Sequence, residues 1–178
     1  DCDCGCNCNC GCGCDSCNHS NCGCGNCNCG CDNSNGNCAS TCADYYAMLT
    51  AQGPATLQDG GSVPFTLVSG STSSFQTCQG GVQFLQNGTY FVNYTINAPA
   101  GSQANAVMGL RLNGTRLSQS EVPVQIAAGA GATSFSGQTV VQACAGDCLS
   151  LVSNGPATFP QGSLATPLFT MTVVRISP

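Results

Sequence analysis

The 178-residue chain has no lysine and no tryptophan, a single histidine (His19) and three arginines (Arg111, Arg116, Arg175). Charged residues make up only 6% of it and the formal net charge is −5, whereas an ordinary soluble domain carries about 25% charged residues. With so few cations, nothing neutralises a phosphate backbone, which excludes nucleic-acid binding. The same lack excludes docking on an anionic membrane surface. No run approaches the roughly 20 apolar residues needed to span a bilayer. P-loop, G-x-S-x-G and H-E-x-x-H motifs are absent. Asp44, Asp59, Glu121 and Asp147 are dispersed, without the spacing of a carboxylate pair, and read as turn or surface residues. His19 lies among polar, loop-like neighbours, with no scaffold to hold it as a catalytic base. The expectation is a protein that is not an enzyme and uses no cofactor.

The sharpest absence is local. Residues 1–42 contain no Leu, Ile, Val, Met or aromatic residue. They cannot bury an aliphatic core, so disulfides or metal must hold them, or nothing does. What they contain is cysteine, 15 of the chain's 18: Cys2, Cys4, Cys6, Cys8, Cys10, Cys12, Cys14, Cys17, Cys22, Cys24, Cys27, Cys29, Cys31, Cys38 and Cys42. Cysteine at this density signals a disulfide scaffold kept in an oxidising, extracellular place. No signal peptide is visible ahead of the run, so the expectation is a removed leader or export without one.

Cys2 to Cys14 alternate with small polar residues, and in an extended chain alternate side chains share one face. Same-face neighbours lie about 6.6 Å apart and adjacent strands about 4.8 Å, against a disulfide Cα separation of about 4.4–6.8 Å. Such a row bonds more readily to another strand than to itself, either a folded-back part of the segment or a neighbouring subunit. Fifteen is odd, so at least one cysteine pairs with Cys78, Cys144 or Cys148, pairs with another chain, or stays free. Metal is the alternative. Cys14 and Cys17, and Cys24 and Cys27, form C-x-x-C pairs that with His19 can supply ligands to zinc, copper or a cluster. In so dense a run these spacings also arise without selection for metal.

Composition changes abruptly at Ala43, giving two expected domains: a cysteine-rich segment, 1–42, and a head, 43–178. The head reads as β throughout, with no helical periodicity. TYFVNYTINA (89–98) alternates over its whole length. AVMGLRL (106–112), Asn113-Gly114 and TRLSQ (115–119) form a hairpin with a two-residue turn. Further strands are expected at 63–69, 73–78, 82–86, 122–128, 133–144, 148–154 and 167–177, with a glycine-rich loop at 153–163. About ten short strands at this spacing indicate a sandwich or jelly roll. Cys144 and Cys148 bracket Ala145-Gly146-Asp147 and are expected to face each other across a hairpin, bonded together. Cys78 is then the head's unpaired cysteine and the candidate partner for the segment's odd one. Asn87, Asn93 and Asn113 open N-glycosylation sequons, but two of these are Asn-Gly turns whose turn role already explains them.

GTYFVNYTINAP, then LRLNGT, SGQTVVQ, CLSLVSNG and finally TMTVVRI resemble the TNF-like, complement-head jelly roll of the collagen-like exosporium glycoproteins of bacterial spores. The resemblance spans roughly 43–178. It implies an all-β, ten-strand head that forms a homotrimer, with Tyr90, Tyr94 and Phe169 near the threefold axis or in the core. The chain departs from that family where collagen repeats belong: glycine in 1–42 has no period of three. The expected function is a structural subunit of an extracellular filament or coat on a spore or cell surface. Its expected partners are itself, as a trimer and as an open head-to-tail array coupled through the N-terminal cysteines, and other spore or cell-surface proteins. A metal-binding module and a surface adhesin are the alternatives.

Overall fold

The computed structural model describes residues 45–161 and 166–178. The segment expected at 1–42 lies outside the described residues. Among the described residues the head is all β apart from one 3-10 turn, Ser118–Ser120.

The strands are β1 (Tyr46–Ala51), β2 (Ala55–Leu57), β3 (Thr66–Gly70), β4 (Phe75–Cys78), β5 (Gly81–Phe84), β6 (Gly88–Ala98) and β7 (Gln103–Leu112). They continue with β8 (Thr115–Arg116), β9 (Val122–Ile126), β10 (Thr133–Ala143), β11 (Cys148–Asn154), β12 (Ala157–Phe159) and β13 (Phe169–Ser177). They form two antiparallel sheets. The five-stranded sheet runs β10-β6-β13-β1-β3; the eight-stranded sheet runs β2-β12-β7-β11-β5-β4, with β8 and β9 paired to β7. The alternation read in the sequence sets which side chains go inside. Along β6, Tyr90, Val92, Tyr94, Ile96 and Ala98 are buried, and the residues between them are only partly covered. Met108 and Leu110 of β7, Leu149 and Leu151 of β11, and Met171 and Val173 of β13 meet them from both sheets.

Three departures from expectation have local causes. The strand expected at 63–69 begins only at Thr66, because Pro64 has no N–H to give a ladder. Before it, Ser62 makes one bridge to Val152 and Val63 donates its N–H to Leu151 O at 2.9 Å. β2 and β12, three residues each, pair with one another, and β12 occupies part of the stretch expected to be a loop. Strands that short carry too few side chains to show alternation. The third departure concerns Cys144 and Cys148. β10 and β11 belong to opposite sheets, so Ala145-Gly146-Asp147 carries the chain from one sheet to the other and closes no hairpin.

Candidate functional site

The outward face of the five-stranded sheet is built by register. One row across it is Val140, Phe91, Val174 and Tyr46; the next is Gln138, Asn93, Thr172, Met48 and Ser69; the third is Ser136, Thr95, Thr170, Thr50 and Thr66. No Asp, Glu, Lys or Arg occurs in these three rows. The face grades from an apolar row to a row made wholly of Ser and Thr. Val140 is 52% exposed and Met48 46%. Below this face, Tyr94 donates its hydroxyl hydrogen towards Ser120 O at 2.6 Å, with Met108 O at 3.1 Å. The phenol thereby ties β6 to the opposite sheet. Burial, helped by the negative charge of Glu121, raises the Tyr94 pKa. Burial also raises that of Tyr90, with nearby Arg175 acting in the opposite sense.

The second feature is a corner at the end of β10. Cys144 follows the Ala143–Gly88 pair that ends the β10–β6 ladder. It is exposed and has no disulfide partner among the described residues. Its N–H donates to Asp147 Oδ2 at 2.8 Å, and the Asp147 N–H returns a bond to Cys144 O at 3.1 Å. Two asparagines fasten the corner to neighbouring turns. Asn87 Oδ1 accepts the Ala145 N–H at 2.8 Å. Asn113 accepts the Cys148 N–H at 2.9 Å through Oδ1 and donates through Nδ2 to Asp147 at 2.7 Å. Asn113 holds φ at 50° in the β7–β8 turn, where asparagine is tolerated. The amides of two of the three sequons are thus already used to fix the corner.

The structure corrects the cysteine assignments. Cys148 is bonded to Cys78, at a Cα separation of 6.2 Å, and Cys144 is not its partner. Cys78 ends β4 and Cys148 opens β11, the two strands that flank β5. Between them, Gly81 of β5 lies so close to β11 that a Cβ there would run into the Leu149 carbonyl. Cys78 is therefore not the head's open cysteine; Cys144 takes that place. Tyr90, Tyr94 and Phe169 lie inside the head's own core, each at 0% exposure. Tyr90 packs on Phe84 at 4.3 Å between ring centroids, and Phe169 meets Phe159 edge-on at 5.2 Å.

Among the described residues no cluster of His, Cys, Asp and Glu could hold a metal ion. The metal candidates Cys14, Cys17, His19, Cys24 and Cys27 lie outside those residues. No helix among the described residues is long and apolar enough to cross a membrane. Sequence reasoning missed the uncharged face, whose signal was present in the second register of β6 (Thr89, Phe91, Asn93, Thr95). It also missed the pairing of Arg111 with Arg116 across the β7–β8 hairpin, which the Asn-Gly turn implies.

No protein-family model matches the chain, and neither does any curated protein. Solved structures do match. The chain is similar to Eiger TNF from S. frugiperda, at TM-score 0.58 and 13% identity, covering 75% of this chain and 93% of that one. It is similar to murine APRIL, at TM-score 0.51 and 13% identity, covering 72% and 97%. The globular domain of zebrafish complement 1qA matches at TM-score 0.49 and 14% identity, covering 74% and 96%. At these identities the first two likenesses show the fold alone: the head is a TNF-like jelly roll.

Proposed function

We propose that the chain is a structural subunit of an extracellular assembly. In this reading it is a homotrimer of jelly-roll heads, coupled through the N-terminal cysteines into a filament or coat on a spore or cell surface. The observation that carries the trimer is the outward face of the five-stranded sheet, three residue rows deep and without a single charge. Depletion of charge marks the core of an interface, and a trimer is the assembly expected of this fold. The coupling rests on cysteine parity. The segment holds an odd number of cysteines. The head pairs two of its own and leaves Cys144. The segment's odd cysteine and Cys144 then complete the count. Contacts that pass from one trimer to the next without closing generate an open array, and bonds between subunits resist dissociation under conditions that unfold ordinary assemblies. A disulfide within the head accords with an oxidising location.

Cys→Ser at positions 2, 4, 6, 8, 10, 12 and 14 together tests this reading. The expected result is a folded, trimeric head by sedimentation and circular dichroism, with no long filaments in electron micrographs. Unchanged filaments would remove the cysteine row as the coupling.

A further inference from the structure

The chain's charge is divided unevenly. Asp1, Asp3, Asp15, Asp32 and Asp44 precede Tyr45, together with no arginine. The three arginines follow it, balanced by Asp59, Glu121 and Asp147. The whole formal charge of −5 therefore lies before Tyr45 and the head is formally neutral. Within the head, Arg111 and Arg116 stand opposite each other across the β7–β8 hairpin. Glu121 accepts from Arg116, at 2.7 Å from Nε, and that is the one ion pair among the described residues. Asp147 is held by Asn113 and the Cys144 N–H. Arg175 donates to Gln86 and to the Asn87 carbonyl and lies over the Tyr45 ring, with its own Nε buried and without an acceptor. Arg111 has only the neutral Asn154 Oδ1, at 2.6 Å, and its Nε is buried with no acceptor. A guanidinium has five donors in a planar fork suited to a carboxylate, and no described carboxylate supplies one here. Like charges placed directly opposite on a sheet also repel. With Arg116 paired to Glu121, the hairpin keeps one positive charge, that of Arg111, which faces no described carboxylate.

We infer that the Arg111/Arg116 face of one head is the docking surface for the acidic N-terminal segment of a second copy, through carboxylates of that segment. This rests on the coupled-subunit reading above and names where the segment lands before sulfur chemistry fixes it. Charge complementarity steers encounter and sets register more than it adds affinity, and disulfides then make the contact permanent.

The test uses the full chain held in reductant, so that only non-covalent contact counts. Association beyond the trimer is followed by light scattering, with circular dichroism confirming the fold of each variant. Arg111→Glu is expected to lower that association by tenfold or more, and raising NaCl from about 0.05 to 0.5 M is expected to weaken the unsubstituted chain, because exposed charges are screened within about 10 Å at 0.1 M. A chain with Asp1, Asp3 and Asp15→Lys is expected to be defective alone and to regain association when mixed with Arg111→Glu chains. Association insensitive both to salt and to Arg111→Glu overturns the docking surface. So does an Arg111→Glu defect that persists undiminished when the segment aspartates are changed to Asn, since the ligand would then be another anion. Should filaments and covalent oligomers also be missing from oxidised, unsubstituted protein, the coupled-subunit reading itself has failed.

Discussion

Gly137 of β10 stands directly opposite Tyr94 of β6, and the space its missing side chain leaves is filled by the Tyr94 phenol. A Cβ at position 137 would collide with the Tyr94 hydroxyl and ring. The glycine is there to let the phenol lie across the sheet, and the constraint comes from space, since its φ is not in the left-handed region. Gly137→Ala is expected to destabilise the head by about 1–3 kcal/mol, the usual cost of overpacking. Thermal denaturation measures this. In a Tyr94→Leu background the penalty should shrink; an equal penalty in both backgrounds would dissociate the glycine from the phenol.

Tyr94 gives a pH prediction. Its pKa is raised in the folded head, first by burial and then by Glu121. The native state therefore holds the phenolic proton more tightly than the unfolded chain does. The stabilisation is complete below the ordinary tyrosine value of 10.0 and is lost as pH rises beyond it. Denaturant midpoints should be flat at neutral pH and fall above about pH 10. Tyr94→Phe should lessen that fall, leaving the part contributed by Tyr90, whose pKa burial raises in the same sense. The substitution should also cost about 1–2 kcal/mol at neutral pH by removing the hydroxyl that donates to the Ser120 carbonyl.

The disulfide assignment predicts a contrast between neighbouring cysteines. Cys78 and Cys148 are separated by 70 residues, and removing a link that closes such a loop costs about 4 kcal/mol in the chain-entropy account. Cys78→Ser should lower the melting temperature of the head strongly. Cys144→Ser should leave it nearly unchanged, because Cys144 is exposed and its N–H, not its sulfur, holds the corner. Non-reducing peptide maps should join the Cys78 peptide to the Cys148 peptide. A Cys144–Cys148 link would reverse the correction.

Much of the head was legible in the chain. The alternation of β6 and the Asn113-Gly114 turn both appear where expected, because each is fixed by local chemistry: side-chain period in one, positive φ in the other. Legibility failed where the answer depended on which sheet a strand joins. The three residues between Cys144 and Cys148 look the same whether they reverse the chain within a sheet or cross between sheets, and only the second happens. The same limit hid the uncharged face. Its rows gather residues from β1, β3, β6, β10 and β13, positions far apart in the chain that only the strand order brings side by side.

That face yields a prediction on assembly. On the proposed trimer, a charge placed in the middle of this face should separate the subunits without unfolding the head. Thr95 and Thr172 are only partly exposed and point away from the core. Thr172→Lys or Thr95→Glu repeats the same charge three times around a threefold axis. Even about 3 kcal/mol of desolvation cost weakens association roughly 100-fold. Sedimentation equilibrium should show monomers with native circular dichroism. A trimer that persists in both variants would move the interface elsewhere on the head.

The central claim, that sulfur couples these subunits into an extended assembly, is tested most directly by one gel of native material run with and without reductant after boiling in SDS. The account predicts a ladder, or material held in the well, that collapses on reduction to a single band at 17.9 kDa. A monomer band without reductant, in protein carrying stoichiometric zinc or copper, would contradict it and return the cysteine segment to the metal-binding alternative.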